Sequence, residues 1–156
     1  MSREAPPTDR WVVCAKDHLH WGELGGAALL LRHVPPDGEA SYLLQQRSRW
    51  VDEGGTWAPP GGAIHEGESP EQAAHREANE EIWPIPPYKV STVEVQDCGG
   101  GWKFHIVVAD VDRPFLTYCA AETDATGWFT LADMRFLSLH PGFGKWVDEH
   151  APEPGP

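Results

Sequence analysis

Three glutamates lie close together in the stretch REANEEIWP at residues 76–84. On a helix, Glu77 would face both Glu80 and Glu81, because residues three and four positions apart are neighbours on the helix surface. Each like-charge pair would cost roughly 0.2–0.5 kcal/mol, and the helix dipole would disfavour each anion in the last turn by roughly 0.3–1 kcal/mol. A hard divalent cation would remove this repulsion. Because the ligand atoms are all oxygens, the pattern favours Mg²⁺ or Mn²⁺ over zinc.

The alternative interpretation of these glutamates is an ordinary solvated acidic face. Two features argue against it. The glutamates adjoin an apolar stripe of Ala74, Ala78 and Ile82, which should face the core. In addition, no lysine follows at the i+4 positions to relieve the repulsion. The pattern therefore predicts carboxylates at the border of the buried side of the helix.

The helix that carries the glutamates has clear start and stop signals. Ser69 is a typical N-cap, Pro70 suits the first helical position, and Gln72 completes a capping box. Pro84 disfavours the helical conformation for the residue before it, so Ile82 should be about the last helical residue. The sequence therefore predicts one helix from Ser69 or Pro70 to Ile82.

Strand patterns occur on both sides of this helix. The apolar run at 26–33 is typical of a strand buried on both faces, and the PPDG turn at 35–38 predicts a hairpin to the next strand. Strands on both sides of one long helix indicate an α/β (α+β) fold, with a mixed β-sheet sandwiched between α-helices. The predicted strands cover residues 11–15, 26–33, 41–47, 87–96, 102–111 and 127–130, and a closing helix is predicted within residues 140–150.

Composition limits the classes of protein to which the chain can belong. Its 156 residues predict one domain over residues 1–150, with APEPGP at 151–156 as a disordered tail. A formal net charge of −12 argues against binding to a nucleic acid polymer. No apolar run is long enough to cross a membrane and no signal-peptide pattern opens the chain, so we predict a cytoplasmic protein.

The cysteines and two nearby histidines carry little signal in the sequence. Cys14, Cys98 and Cys119 are far apart and form no CxxC motif, so we expect small packing residues and neither a disulfide framework nor a zinc site. His18 and His20 are spaced as a metal pair, but no further ligand is spaced to join them. We therefore expect ordinary surface histidines.

The glutamates are also part of a longer pattern. Gly62 is followed by Glu68, Arg76–Glu77 and Glu80–Glu81 within GTWAPPGGAIHEGESPEQAAHREANEEI. This spacing strongly resembles the Nudix box, the signature of hydrolases that cleave nucleoside diphosphates linked to another moiety. The segments LLQQRS and ETDATGWFTLADM are also similar to the family, so the resemblance covers most of residues 25–134. It implies the Nudix fold.

The chain departs from the family pattern just after the box. The family has a glycine and then an apolar residue there, whereas this chain has Trp83–Pro84. Glycine allows a left-handed helix exit, and tryptophan would be strained with a positive φ. We therefore expect a changed turn that leaves the glutamates in place. The HWG…GAALLLR and LHPGF segments resemble a group of bacterial Nudix proteins whose substrates are poorly defined.

The resemblance implies a metal-dependent mechanism. It assigns Glu77, Glu80, Glu81 and the backbone carbonyl of Gly62 to Mg²⁺ or Mn²⁺ ions. Such ions would bridge the diphosphate, neutralise the charge that develops in the transition state and lower the pKa of the attacking water. Water would attack phosphorus and cleave the P–O–P link.

The resemblance also implies roles for the surrounding acids and the arginine. Arg76 would hold the carboxylates in position, and Glu68 would support the site from behind. The family draws its general base either from the box or from a later loop. Glu77 is the candidate in the box, and Glu122, with Asp124 behind it, is the candidate in the loop.

Four residues are candidates for substrate binding. Arg47 and Lys103 could bind phosphate, and Trp57 or Trp102 could stack on a base or ring. The alternative for the two tryptophans is core packing, because aromatic residues in alternating strands commonly face the interior.

Two functions from different classes are compatible with the sequence. The first is a Mg²⁺-dependent hydrolase of a small nucleotide-type diphosphate, and the second is a Nudix-fold sensor that binds such a ligand without cleaving it. Retention of every box glutamate favours the hydrolase. Substrate preference depends on loops outside the box, and many relatives form homodimers, so both the substrate and a possible homodimer are left open.

Overall fold

Most of the chain forms a layered arrangement of strands and helices. The computed structural model describes residues 8–151. The helices are α1 (Pro70–Glu81), α2 (Leu131–Met134) and α3 (Pro141–His150). The strands are β1 (Trp11–Val13), β2 (Leu19–Trp21), β3 (Gly26–His33), β4 (Ser41–Arg47), β5 (Trp57–Ala58), β6 (Gly61–Ala63), β7 (Ile82–Trp83), β8 (Lys89–Asp97), β9 (Lys103–Asp110), β10 (Tyr118–Cys119) and β11 (Thr123–Thr130).

A seven-stranded sheet carries the fold, in the order β11-β4-β3-β9-β8, with β5 paired to β4 and β6 paired to β3. Strands β3 and β9 run parallel, and the other pairs are antiparallel. The first six residues of β3 are buried, as its continuous apolar run predicts. The predicted mixed sheet and the β3–β4 hairpin are therefore confirmed.

The two faces of the sheet pack against different helices. Helix α1 covers one face through Ala73, Ala74 and Ala78, and helices α2 and α3 cover the other. Successive side chains of a strand point to opposite faces, and so neighbouring residues of β3 and β9 enter different clusters. The α1 cluster includes Ala27, Leu29, Leu31, Leu43, Val107 and Ala109, and the α3 cluster includes Leu30, Leu44, Ile106, Val108, Met134, Phe143 and Trp146.

Helix α1 begins where the sequence predicts. Its end shows how the chain leaves the helix without the glycine that the Nudix family has after the box. The Ser69 side chain accepts a hydrogen bond from the Gln72 N–H at 3.1 Å, and the Gln72 side chain accepts from the Ser69 N–H at 2.9 Å. At the other end Ile82 is extended, with φ −137° and ψ 149°, and continues into β7. Strand β7 pairs with β10, so no left-handed residue is needed at Trp83.

Several predicted boundaries were wrong. Strand β1 ends at Val13 rather than at residue 15, and β11 begins at Thr123 rather than at residue 127. The strands β2, β5, β6, β7 and β10 have three residues or fewer, too short for a periodic pattern to show. The predicted tail at 151–156 lies outside the described residues except for Ala151, which packs against the α3 cluster. None of the helices between residues 8 and 151 has the length and apolarity that a membrane span requires.

The expectation that Cys14 and Cys98 form no disulfide was also wrong. The structure joins Cys14 and Cys98 as a disulfide across a sequence separation of 84 residues, with their Cα atoms 5.9 Å apart. His18 and His20 lie beside this pair, and their ring nitrogens approach the Cys98 sulfur. The sequence could not show this contact, because it depends on how a hairpin packs against a distant turn.

Candidate active site

Arg76 hydrogen-bonds to groups in the segment before α1 and to a glutamate on α1 itself. Its Nε and Nη2 atoms donate to the two carboxylate oxygens of Glu68 at 2.8 and 3.0 Å. Its Nη1 donates to Glu77 Oε1 at 2.8 Å, and Nη2 also donates to the Ala63 carbonyl at 2.8 Å. The guanidinium holds the pKa of Glu68 below its usual range. Arg76 therefore ties the box loop to the helix.

Glu77 lies directly against the backbone of Gly62. A Cβ atom added to Gly62 would lie 2.4 Å from Glu77 Cδ and 2.6 Å from Oε1. Only glycine leaves room for a carboxylate at this position. The Glu77 side chain is 15% exposed. Burial raises its pKa, the adjacent Arg76 opposes that rise, and the charge of Glu80 adds to it.

Glu81 is the most deeply placed of the three carboxylates. Burial raises its pKa to about 8, and the charge of Glu77 contributes to the rise. Gln45 Nε2 donates to Glu81 Oε2 at 2.7 Å, which opposes the rise. The like-charge contacts that the sequence predicts on this helix face are therefore present.

Gln45 and Thr123 are site residues that the sequence analysis missed. Both are buried, and Thr123 Oγ1 donates to Gln45 Oε1 at 3.0 Å. Because this bond occupies the amide oxygen, the amide nitrogen of Gln45 is directed at Glu81. The available signal was a glutamine within the apolar run SYLLQQR, since buried polar side chains need partners.

Among the acidic residues predicted to act at the site, Glu80 and Glu122 are exposed to solvent. The Glu80 side chain is 59% exposed and accepts a long contact from Arg76, at 3.5 Å. Glu122 is also exposed, and its backbone carbonyl accepts from the Ser48 N–H at 2.9 Å. It directly precedes Thr123, so the predicted loop acid is one residue from the chain of hydrogen bonds to Glu81. Asp124 is exposed on the other side of Thr123.

A cavity of about 530 Å³ lies on the opposite face of the sheet, beside α3. Among the residues predicted to bind substrate, Arg47 and Trp102 line it, whereas Trp57 and Lys103 do not. Trp57 packs edge-on against Phe129, with ring centroids 5.1 Å apart. Lys103 is exposed at the start of β9. Of the described residues, the others that line the cavity include Phe104, Ile106, His140 and Phe143.

Arg47 links the cavity to the carboxylates. It lies at the end of β4, on the strand that also carries Gln45. Its positive charge lowers the pKa of Glu81, against the larger effect of burial. It also contributes to lowering the pKa of His140, for which burial is the main cause. A negatively charged ligand in the cavity would therefore meet the positive charge of Arg47.

The position of Glu77 leads to a first prediction. Gly62→Ala should lower catalytic turnover about 100-fold, because a misplacement of about 1 Å near reacting groups has that effect, and the added methyl would displace the carboxylate. Gly144→Ala is the matched control, since a Cβ there would make an ordinary contact at 3.8 Å to Leu139. Steady-state kinetics and thermal melting of both variants check the expectation. Full activity of Gly62→Ala would show that this carboxylate position is not needed.

Comparison with known proteins identifies the family. The model of the NUDIX domain matches residues 23–150. The chain belongs to the Nudix family. The box residues around Gly62 and α1 are therefore those of a Nudix domain, and Nudix hydrolases generally cleave pyrophosphate bonds with the help of divalent metal ions.

Two members of the Nudix family are more than 30% identical in sequence to this chain. It is 38% identical over 141 residues to "Putative 8-oxo-dGTP diphosphatase 3" of Mycobacterium tuberculosis, covering 86% of this chain and 65% of that protein. The chain thus spans about 65% of the length of this curated relative. It is 36% identical to RenU, a Nudix hydrolase from M. smegmatis, whose crystal structure superposes with a TM-score of 0.79 over 95% of this chain and 99% of that one.

A more distant structure shares only the fold. An Ap4A hydrolase from C. elegans superposes with a TM-score of 0.63 at 22% identity, over 80% of this chain and 93% of that one. The Nudix fold of the chain is therefore confirmed by both near and distant structures.

The residues of the Nudix box fit a hard divalent cation. The carboxylates of Glu77, Glu80 and Glu81 offer oxygen atoms only, which suits Mg²⁺ or Mn²⁺. Gly62 leaves the space that the Glu77 carboxylate occupies. Burial raises the pKa values of both Glu77 and Glu81 although Arg76 and Arg47 oppose the rise, so a further cation would favour the ionised form of both carboxylates.

Proposed function

We propose that the protein is a metal-dependent hydrolase that cleaves the P–O–P bond of a nucleoside diphosphate linked to another moiety. The observation that carries the proposal is the pair of largely buried carboxylates, with Glu77 against Gly62 and Glu81 beside the backbone of Gly61. Arg76 compensates the charge of Glu77 only in part, because burial still raises the pKa of that carboxyl, and a further cation would favour holding both groups ionised. Glu77, Glu80, Glu81 and the carbonyl of Gly62 would hold Mg²⁺ or Mn²⁺.

The chain's own residues would position and activate the reactants. The cation, when bound, supplies positive charge to the phosphate oxygens and makes bound water a stronger nucleophile at neutral pH. Arg76 fixes Glu68 and Glu77 relative to each other, and Gln45 fixes Glu81. Glu77 or Glu122 would accept the proton of the attacking water.

The cavity is the proposed place for the nucleoside part of the substrate. Arg47 would contact phosphate at its edge, and Trp102 would contact a base or sugar within it. Lys103 and Trp57 lie outside the cavity, so any contact they make with substrate would be peripheral. The name of the M. tuberculosis relative makes 8-oxo-dGTP the first compound to test.

A substrate panel tests the proposal. Nucleoside triphosphates including 8-oxo-dGTP, ADP-ribose, dinucleoside polyphosphates and nucleotide sugars are incubated with the protein and Mg²⁺, and products are identified by chromatography. We expect release of nucleoside monophosphate together with pyrophosphate or a second phosphorylated product. Mg²⁺-dependent turnover of no compound, combined with saturable binding of one, would support the sensor function instead.

Metal binding can be measured without a substrate. Millimolar Mg²⁺ should raise the melting temperature of the wild type more than that of Glu80→Gln. A ligand at 100 times its Kd stabilises by about 2.7 kcal/mol, which corresponds to about 5–10 °C for a domain of this size. Because the Glu80 side chain is exposed, Glu80→Gln should leave the packing of α1 unchanged. Equal shifts in the two proteins would contradict a metal site on this face.

A further inference from the structure

A second group of ligand-type side chains lies away from the Nudix box, on the β1–β2 hairpin. Val12 pairs with His20 in this hairpin, and Cys14 and His18 flank its turn. Residues two apart in a strand point to the same face, so His18 and His20 lie on one side of the hairpin. The Cys14 N–H donates to the His18 carbonyl at 3.0 Å, which holds the two residues together.

The fourth residue comes from the turn between β8 and β9. Cys98 begins this turn, and its N–H donates to the Trp102 carbonyl at 3.1 Å. The following Gly99 has φ +82°, and a Cβ atom there would lie 2.9 Å from the Ala15 Cβ. The glycine thus permits the turn to press against the hairpin beside Cys14. Two segments 84 residues apart are brought together in this way.

The four side chains converge on one point. One ligand atom from each of Cys14, His18, His20 and Cys98 lies within 4.8 Å of all the others. His20 Nε2 is 3.1 Å from Cys98 Sγ, and His18 Nδ1 is 3.4 Å from the same sulfur. In a tetrahedral zinc site with bonds of about 2.3 Å to sulfur and about 2.0 Å to nitrogen, neighbouring ligand atoms are roughly 3.3–3.8 Å apart. The observed nitrogen to sulfur distances are close to that range.

We propose that Cys14, His18, His20 and Cys98 form a structural zinc site that fastens the β1–β2 hairpin to the β8–β9 turn. Two thiolates and two imidazoles are a donor set that Zn²⁺ prefers, and Mg²⁺ does not. All four coordination positions come from the protein, which is typical of a structural rather than a catalytic zinc ion. The site is separate from the oxygen-only carboxylate site of the box.

The zinc site and the disulfide are alternative states of the same cysteines. A small thiol reductant must first supply two electrons and two protons to open the disulfide to two thiols. Each thiol then loses a proton to solvent when its sulfur binds Zn²⁺, and that binding step transfers no electron. A disulfide sulfur carries no thiolate charge and cannot serve as such a ligand. A zinc site with two cysteines and two histidines requires both imidazoles beside the sulfurs, whereas a disulfide needs neither of them.

The location of the site gives it a structural consequence. His18, His20 and Cys98 line the cavity beside α3, and the His20 ring stacks on Trp102 with centroids 3.7 Å apart. The Trp102 indole donates to the Gly22 carbonyl at 2.8 Å, just after β2. Zinc therefore fixes the wall of the cavity that holds Trp102.

Metal analysis of the purified protein tests the site. The chain is purified under reducing conditions without a histidine tag, dialysed against chelator, reconstituted with zinc and analysed by mass spectrometry for metals. We expect one tightly bound zinc per chain. Cys98→Ser and His20→Gln should each weaken zinc binding by more than about 100-fold, because even residues behind the ligands account for about 10- to 100-fold.

Matched controls separate this site from other cysteines, histidines and the box. Cys119→Ser removes the free cysteine, and His75→Gln removes an exposed histidine that hydrogen-bonds Tyr88 at 2.7 Å. Both should keep wild-type zinc content. Glu81→Gln should also keep it, so failure of the proposed hydrolase activity would leave this result unaffected.

Thiol labelling of the wild type gives a test that does not depend on the folding of a variant. In the zinc form, Cys14 and Cys98 should resist alkylation until chelator is added, with Cys119 as the internal reference. Absorption bands of tetrahedral cobalt with sulfur ligands should appear when Co²⁺ replaces zinc. The proposal is overturned if the reduced protein binds no stoichiometric zinc, or if only a reductant and not a chelator exposes the two thiols.

Discussion

Glu81→Gln is expected to lower kcat by at least about 10³-fold on any substrate that the wild type cleaves. A metal ion contributes several kcal/mol of charge stabilisation in the transition state, and each 1.36 kcal/mol corresponds to a factor of ten in rate. Glu81 is the most buried carboxylate of the site, and Gln45 holds it in place. Glutamine keeps its size but removes the charge that would hold the cation.

The control for this prediction lies on the same helix. Glu71→Gln changes an exposed glutamate in the first turn of α1, on the far end from Glu81, and should keep wild-type kcat. Kinetics at several Mg²⁺ concentrations should show the Glu81→Gln defect at saturating metal as well. A variant with unchanged kcat and KM would remove Glu81 from the mechanism and with it the metal-dependent proposal.

The second large effect is a fall in stability with rising pH when no divalent metal is present. Burial raises the pKa of Glu81 to about 8 in the folded state, from the ordinary carboxyl value of 4.5. Between these values the folded state binds more protons than the unfolded state, so the free energy of unfolding decreases as pH rises. The slope approaches about 1.4 kcal/mol per pH unit, which gives a loss of up to several kcal/mol across the window.

Urea denaturation in the presence of chelator measures this loss. The wild type should lose stability between pH 5 and pH 8 by clearly more than Glu81→Gln, which has no carboxyl at this position to titrate. Saturating Mg²⁺ should reduce the loss in the wild type, because metal binding favours the ionised form. Parallel pH profiles for wild type and variant would contradict a strongly raised pKa at Glu81.

The sequence was sufficient for the parts of the fold that depend on local patterns. The capping residues Ser69 and Gln72 located the start of α1, and the apolar run of β3 identified the buried central strand. The expected change of the helix exit at Trp83–Pro84 is confirmed. The neighbouring β7–β10 pair that replaces the glycine turn was not predicted, because two-residue strands leave no periodic pattern.

The contacts that could not be predicted from the sequence join residues that lie far apart along the chain. Gln45 and Thr123 are 78 residues apart, and only the pairing of β4 with β11 brings the side chains together. The Cys14 and Cys98 cluster depends in the same way on a hairpin that packs against a turn late in the chain. Long-range packing also decides the positions of the two tryptophans that were predicted to contact substrate. Trp57 packs in the core against Phe129, whereas Trp102 borders the cavity.

The carboxylates and the cavity lie on opposite faces of one sheet, and this separation affects how the protein can evolve. Residues that line the cavity, such as Phe143 of α3 and Trp102 of the β8–β9 turn, can drift without moving Gly62 or α1. Under the proposed function, substitutions at such positions would alter ligand preference without displacing the carboxylates, whereas Arg47 belongs to both sites. Descendants of one ancestor could acquire new substrates by changing a single side of the molecule.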